Sequence, residues 1–571
     1  MASASKVNES EPKAKKQKKE TDDACSVYPE IIGLDCDLYQ LSNTPLTKER
    51  QQKALRQLES YLKTQQNNFL GYQVNEKVNY AENLSFMLNM HTNNIGDPFV
   101  NGNLTVNTKI MERAVLDYFA KLWHAQTPSI PDNKESYWGY VLSMGSTEGN
   151  LYALYNARDY LKGKALYKEP HGGLSLIRPM KQSSHPKNAY HPIAFYSEDT
   201  HYSITKIVRA LEIRTFYEIG ENEYKGQCPI TADGEWPKEV PSENGNAGPG
   251  SVDINKLVQL VEFFARTGSP PLIILNVGTT FKGAYDDVEQ IGYRLKPILE
   301  RYNLYERTVE YAPGQYDVRS GYWIHVDGAL GASYLPFLEK AQRRIKGHIP
   351  KFDFSLPFVH SIVTSAHKYP GCPVPSGIYM TKRKYQIAPP DDPEYIGSPD
   401  TTFAGSRNAL SPAVLWCHYA NTSDELEIEK AIQVEETAKY AETKLKELER
   451  KYQRKGYKLW VDRSPFALTV RFRDPNDDNV IRKYSLSQMQ LLFDGEQIPR
   501  KYVHIFLMPS VTKNLIDNLI QDLTNAYDKS SVSKQETTLE YSVITTDSNE
   551  KAYNVQRVAH VPLNSRSYSG N

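Results

Sequence analysis

An α/β fold with a mainly parallel, doubly wound sheet, followed by a small α+β C-terminal domain, is what this 571-residue sequence predicts. Three observations carry the expectation. The apolar runs HPIAFYSE, PPLIILNVG, YWIHVDG and HSIVTSAH are nearly continuous rather than alternating, as strands covered on both faces must be. Segments with helical spacing lie between them, which is the rhythm of β-α-β crossovers. After Trp416 the order changes to a helix, a few strands and an end helix, the pattern of a separate α+β unit.

Taken in chain order, residues 1–25 are polar and lysine-rich. They bury too little apolar surface to offset ordering, so a disordered tail is expected. The basic run from Lys13 to Lys19 is followed at once by Glu20, Asp22 and Asp23, which favours a solvated tail over a nucleic-acid patch. Residues 26–105 form an N-terminal segment, and a large domain is expected over 106–416. It opens with a helix over 106–125, where Ile110, Val115, Phe119 and Leu122 recur near helical spacing. A second helix, GNLYALYNARDYL, follows Gly145. The polar stretch 218–252, with four prolines, reads as a long surface excursion, and 303–320 as another. A small domain is expected over 417–527. Thr422-Ser-Asp-Glu425 has the pattern of a capping box, and Ile428, Ile432, Ala438, Leu445 and Leu448 form the apolar stripe of the helix it opens. YKLWV, FALTVRF and YVHIFLM are strand candidates, and VTKNLIDNLIQDLTNAY is the closing helix. Residues 528–571 lack a helical period and read as a surface or disordered tail.

Composition narrows the function classes. Lysine plus arginine equals aspartate plus glutamate at 68 each, so no net charge favours nucleic acid or an anionic membrane as partner. Mean hydropathy is −0.58, and no stretch approaches the roughly 20 apolar residues that span a bilayer. The N-terminus has no apolar core of a secretory signal. Five cysteines, none in a C-x-x-C pair, read as free thiols of a reducing compartment, which makes the cytoplasm the expected location.

The chemistry lies in four segments: Ser143-Met-Gly-Ser146-Thr147-Glu-Gly149-Asn150, Asp199-Thr-His201-Tyr-Ser, His325-Val-Asp327-Gly-Ala329, and Thr364-Ser365-Ala-His367-Lys368. Open α/β sheets bind ligands beyond the carboxyl ends of their strands, and each segment falls at or beside such an end. Small residues opening a helix suit a phosphate, though any capped helix start looks the same. Asp327 after an apolar strand can pair with a protonated ring nitrogen, or be a turn aspartate before glycine. No His or Cys cluster with metal spacing accompanies it, so a metal is not expected. Lys368 can form a Schiff base if its site lowers its pKa, whereas most lysines are simply solvated. His201 offers a flat ring, or a packed histidine. Together these are the parts needed to hold pyridoxal 5'-phosphate.

In their order and spacing, Asn94-Ile-Gly-Asp-Pro-Phe99, Trp138-Gly-Tyr, Gly145-Ser-Thr-Glu-Gly-Asn150, His201-Tyr-Ser, Asn276-Val-Gly-Thr-Thr280, His325-Val-Asp-Gly-Ala329, His367-Lys368 and Gly405-Ser-Arg-Asn408 make the chain resemble the group II pyridoxal-phosphate-dependent amino-acid decarboxylases. Within them it is most similar to the histidine-decarboxylase-like branch, which includes serine and methionine or valine decarboxylases. The resemblance runs from about residue 80 to about 525. It implies pyridoxal-phosphate fold type I, with Lys368 as the Schiff-base lysine and Asp327 at the pyridinium nitrogen. His201 and Ala329 would sit on opposite faces of the ring. Ser146, Thr147 and Ser365 would meet the phosphate, with His367 close by, while Thr280 and Asp286 would flank the ring. Asn94 and Asp97 would line the substrate pocket, together with His201. The implied assembly is a homodimer, with residues 26–105 contributing to the interface. Tyr395, in Pro393-Glu-Tyr-Ile-Gly-Ser398, is a candidate proton donor by position, with Tyr202 as the other option. The implied reaction turns an L-amino acid, neutral aliphatic or histidine, into its primary amine and carbon dioxide. Rival readings are an oxidative aldehyde synthase, an aminotransferase, and a non-catalytic dimeric scaffold. The branch often has glycine where this chain has Ala409, and Met144-Gly-Ser146 departs from the Asn-Gly-Gly that relatives can carry.

Overall fold

The computed structural model describes residues 31–76, 78–129, 133–168, 174–180, 186–387, 393–493 and 495–541. The tail expected over 1–25, and the part of the C-terminal tail beyond 541, lie outside the described residues. The chain divides into two compact units, Met1–Phe69 and Leu70–Asn571. In the first unit, α1 (Lys48–Asn68) starts at Thr47, whose hydroxyl accepts the Arg50 N–H at 3.2 Å.

The second unit is built on a seven-stranded sheet. Its strands are β1 (Tyr137–Leu142), β2 (Ile193–Phe195), β3 (Arg214–Thr215), β4 (Pro271–Asn276), β5 (Trp323–Asp327), β6 (Ser361–Ser365) and β7 (Gly377–Lys382), in the order β1-β7-β6-β5-β4-β2-β3. β7 runs antiparallel to both its neighbours, and every other pairing is parallel. The four apolar runs become β2, β4, β5 and β6. The sequence reading misses three strands of this sheet: β1, whose pattern Gly139 interrupts, β7, which opens on Gly377 and carries Thr381 and Lys382, and the two-residue β3.

Around the sheet lie α2 (Lys109–Leu122), α3 (Ser146–Leu161), α4 (Tyr202–Ala210), α5 (Ile254–Ala265) and α6 (Val288–Arg301). Successive side chains of one strand enter different buried clusters, as a period of two requires. Tyr140, Leu272, Ile274, Trp323 and Val363 pack with Tyr152, Ala157, Ile204 and Ile207 of α3 and α4. Val141, Ile273, Leu275, Ile324, Val326 and Ile362 pack with Leu116, Leu257, Val261, Ile291 and Leu295 of α2, α5 and α6. Both faces are therefore covered.

The C-terminal layer holds β8 (Thr469–Arg473), β9 (Ser487–Leu491) and β10 (Arg500–Phe506), antiparallel in the order β8-β10-β9, with α7 (Asp424–Gln453) and α8 (Lys513–Tyr541). Three expectations need correction. The cap of α7 is Ser423 rather than Thr422, its hydroxyl accepting the Leu426 N–H at 3.3 Å. YKLWV forms no strand, while the polar edge strand β9 went unread. The closing helix continues past 527 to Tyr541, because residues 513–541 contain neither glycine nor proline to stop it.

Both excursions are tied down. Residues 218–252 begin inside the helix Phe216–Glu223 and bury Cys228, Trp236, Val240 and Val252, with the Trp236 indole N–H donating to the Tyr224 carbonyl at 2.9 Å. Residues 303–320 contain a hairpin, Arg307–Ala312 with Gln315–Arg319. Its Arg307 donates to the carbonyls of Ala189 and Leu161, and Arg319 to that of Lys164. Among the described residues no helix is long and apolar enough to cross a membrane, and no group of His, Cys, Asp and Glu is arranged to hold a metal.

Candidate active site

The carboxyl ends of β5 and β6 and the N-termini of α3 and α4 supply the residues singled out above. α3 starts at Gly145, which has a φ of 74° and offers no side-chain cap. A side chain there would strike the ring of His367, with Cε1 2.7 Å from the added Cβ. Gly149, one turn on, lets α3 lie on the sheet: a Cβ would meet Val363 at 2.4 Å. The helix therefore aims its first N–H groups and its positive dipole end at Ser365 and His367. The Ser146 N–H donates to Ser365 Oγ at 3.2 Å. Below this turn the buried Glu148 carboxylate accepts the N–H groups of Ser143 and Met144 at 2.8 and 2.9 Å, fixing the backbone. Burial raises the Glu148 pKa against those bonds. Ser146 and Thr147 are half-buried at the helix start.

Lys368 follows β6 in the turn that starts at Ser365, its N–H donating to the Ser365 carbonyl at 3.3 Å. Burial lowers its pKa to about 8, opposed by the nearby charge of Asp327. An amine so placed is substantially neutral near pH 8 and ready to attack an aldehyde. Asp327 closes β5 and is 6% exposed. Its Oδ1 accepts the Ala329 N–H at 3.2 Å and its Oδ2 the Asn150 amide at 2.8 Å. The Ala329 carbonyl in turn accepts the Ser365 N–H at 3.0 Å, joining the ends of β5 and β6.

His201 caps α4. Its Nδ1 accepts the Ser203 N–H at 3.3 Å and lies 2.7 Å from Ser203 Oγ, which leaves the proton on Nε2. Burial lowers its pKa, Asp327 raises it and Lys368 lowers it, so the three groups are electrostatic neighbours. His367 Nδ1 lies 2.9 Å from the Ser376 carbonyl and 3.2 Å from its N–H, and burial lowers its pKa as well.

Other expected residues have different surroundings. Thr280 is half-buried in the turn after β4. Asp286 does not present a free carboxylate. Its oxygens accept the Val252 N–H at 2.7 Å, the Asn276 N–H at 2.6 Å and the Asn276 amide at 3.1 Å, tying the 240–252 loop to β4. Burial nevertheless raises its pKa to about 6. Asn94 and Asp97, expected to line a pocket, are likewise consumed by structural bonds. The Asn94 amide donates to Glu112 at 2.9 Å, and its oxygen accepts from Thr108 N at 2.8 Å. Asp97 accepts from Thr401 Oγ1 at 2.6 Å, Phe99 N at 2.7 Å and Trp138 Nε1 at 3.2 Å. Beside them Arg407 pairs with Glu112, both fully buried. Tyr395 is 80% exposed on the turn 393–397, whereas the Tyr202 ring lies 4.3 Å from that of His201.

This arrangement fits pyridoxal 5'-phosphate: an uncapped helix start with hydroxyls for a phosphate, a buried carboxylate, and an amine with lowered pKa. The sequence profile of the pyridoxal-dependent decarboxylase conserved domain matches residues 43–405. The chain belongs to that family. It is a pyridoxal-phosphate-dependent amino-acid decarboxylase of fold type I. The enzyme is 45% identical to the L-methionine decarboxylase of Streptomyces sp. 590, with a TM-score of 0.80 over 87% of this chain and 98% of that one. It is 28% identical to the histidine decarboxylase of Solanum lycopersicum, over 80% of this chain and 84% of the relative. It is 30% identical to serine decarboxylase 3 of Oryza sativa subsp. japonica, over 80% and 78%. Sequence reasoning gave no role to Glu148, Asn150 or His325 in the enzyme, although all three stand inside its quoted motifs. The signal available was a polar residue at a position that must be buried for α3 and β5 to pack.

Proposed function

We propose that the enzyme decarboxylates an L-amino acid with an uncharged, extended side chain of the methionine type, with histidine as the second substrate to test. The observation that carries this is the 45% identity to the L-methionine decarboxylase across 98% of its length, against 28% and 30% for the histidine and serine decarboxylases. Bound pyridoxal 5'-phosphate supplies an electron sink for the pair left at Cα when carbon dioxide departs. Lys368 holds that group through its amine, supported by the lowered pKa. Asp327 keeps a proton on the ring nitrogen. His201, held by Ser203, would restrain the ring on one face, with Ala329 on the other. The α3 N-terminus with Ser146, Thr147, Ser365 and His367 binds the phosphate. Asp286 and Thr280 hold the turn after β4 beside the ring, and Asn94 and Asp97 shape the pocket wall by fixing the 93–103 loop. Tyr395 or Tyr202 returns a proton to Cα.

We further assign the working form as a homodimer in the cytoplasm. Phe86, Leu88, Met90, Val106 and Ile110 are exposed, a run of apolar side chains that a second copy would cover. Cys228, Cys372 and Cys417 are buried free thiols, which suits a reducing compartment. The substrate is tested by incubating the holoenzyme with each of the twenty amino acids and detecting amines, ammonia and peroxide. The expected product is 3-methylthiopropylamine from methionine. Histamine alone would move the assignment to histidine. Aldehyde with ammonia and peroxide would make the enzyme an oxidative synthase.

A further inference from the structure

Asp327 ends a series of hydrogen bonds that runs through the core beneath the site. The Trp323 indole N–H donates to Ser361 Oγ at 3.1 Å, and Ser361 Oγ meets His325 Nδ1 at 2.8 Å. His325 Nε2 meets Asn150 Oδ1 at 2.8 Å, and Asn150 Nδ2 donates to Asp327 Oδ2 at 2.8 Å. Trp323, Ser361, His325 and Asn150 are all 0% exposed. The two ends fix the sense of the series. An indole N–H can only donate, so the Ser361 oxygen accepts there; its own proton goes to His325 because the Asp327 end leaves Nδ1 of the neutral ring as an acceptor. A carboxylate can only accept, so Asn150 turns its NH₂ to Asp327 and its oxygen to His325. His325 therefore carries its proton on Nε2 and accepts at Nδ1. Burial lowers its pKa to about 4, so the ring is neutral with a single N–H to give. Every proton in the series points toward Asp327, and bonds in series polarise one another in a dry interior.

Packing alone does not require this. A core that needed only volume at these positions would be filled by apolar side chains, without a matched donor and acceptor at each step. We propose that Asn150, His325 and Ser361 are positioning residues that hold the Asp327 carboxylate in place and charged, so that it keeps the cofactor's ring nitrogen protonated. The inference rests on the assignment of Asp327 to that nitrogen.

The test uses holoenzyme loaded with cofactor carrying ¹⁵N at the ring nitrogen. Asn150→Asp sets a second carboxyl against Asp327, and two acids so close share one proton. The wild type should give the signal of a protonated ring nitrogen, and Asn150→Asp that of an unprotonated one. Its kcat should fall about a hundredfold, with KM within about threefold of wild type. Ser361→Ala touches neither Asp327 nor the cofactor, yet frees His325 to move its proton to Nδ1. Its kcat should fall about tenfold, the size of effect expected of an outer partner. Ser361→Thr, which keeps the hydroxyl, should restore it. If Asn150→Asp fails to fold, the serine pair decides alone. A protonated ring nitrogen with kcat within about twofold of wild type in the variants that fold would overturn the proposal. An unprotonated ring nitrogen in the wild type, with the cofactor still reducible onto Lys368 by borohydride, would instead overturn the role of Asp327 on which it rests.

Discussion

Lys368 has an amine whose pKa burial brings down to about 8, with Asp327 and His201 as its electrostatic neighbours. Only the neutral amine attacks an aldehyde, so capture of pyridoxal phosphate by cofactor-free enzyme should speed up about tenfold from pH 7 to pH 9 and then level off. An ordinary lysine would keep gaining past pH 10, which rapid mixing followed by absorbance would show. The same shift bears on stability. Between pH 8 and 10.5 the unfolded chain binds more protons at this position than the folded one, so the Lys368 contribution improves as pH rises through that window. Lys368→Ala should fold and assemble but give no borohydride-reducible adduct; an adduct on another lysine would move the assignment. Asp327→Asn should keep the cofactor and lower turnover about a thousandfold, and turnover within a few-fold of wild type would release Asp327 from its role. For the proton returned to Cα, Tyr395→Phe and Tyr202→Phe are compared by their ratio of amine to aldehyde. The variant that shifts toward aldehyde identifies the donor, and a shift in Tyr202→Phe alone would displace Tyr395. At this scale the sequence made Lys368, Asp327 and His201 legible because they stand at element ends, where reactive groups gather. It could not show which group Asn150 faces, because the Asp327 carboxylate is 177 residues away along the chain.

Two loop systems depend on single buried groups. The segments 93–103 and 396–409 are joined by the Arg407 bond to the Gly96 carbonyl at 3.1 Å and by the Asp97–Thr401 bond, and Glu112 of α2 holds both by pairing with Arg407 and accepting from the Asn94 amide. Arg407→Ala leaves the Glu112 charge buried without its partner and should cost about 3–5 kcal/mol, read as a lowered denaturant midpoint. The excursion 218–252 hangs on Trp236, which is 5% exposed, so Trp236→Ala should cost about 3–5 kcal/mol as well. A loss below about 0.5 kcal/mol would mean that the excursion is a surface appendage after all. The strands read from the sequence, β2, β4, β5 and β6 of the large sheet and β8 and β10 of the small one, all lie in mainly apolar runs. β1 and β7 carry glycine in otherwise strand-like runs, and β9 is a polar edge, so none of the three has the composition on which the reading relied. The overrun of α8 has the opposite cause: a weak apolar period hid a segment that nothing interrupts.

Among the described residues Phe86, Leu88, Met90, Val106 and Ile110 are left exposed by their own chain. Sedimentation should therefore give twice the 65.1 kDa mass of the chain, and charged substitutions at Leu88 and Met90 should return the monomer. A wild-type monomer at micromolar concentration would withdraw the homodimer. Fold class was legible at this scale because parallel strands need apolar runs and helical crossovers, both of which leave long sequence patterns. The sheet order also sets a timetable for synthesis. β1 is made early, but its only sheet partner is β7, which also separates it from β6. At roughly 5–20 residues per second, ribosomes hold β1 without that partner for about 10–50 s. Over that interval its backbone N–H and C=O groups have no native partner in the sheet. The strand that leads into the Ser143–Ser146 turn is thus an unpaired edge in the nascent chain, and ribosome-bound chains ending before residue 377 should bind a chaperone more than chains that include β7.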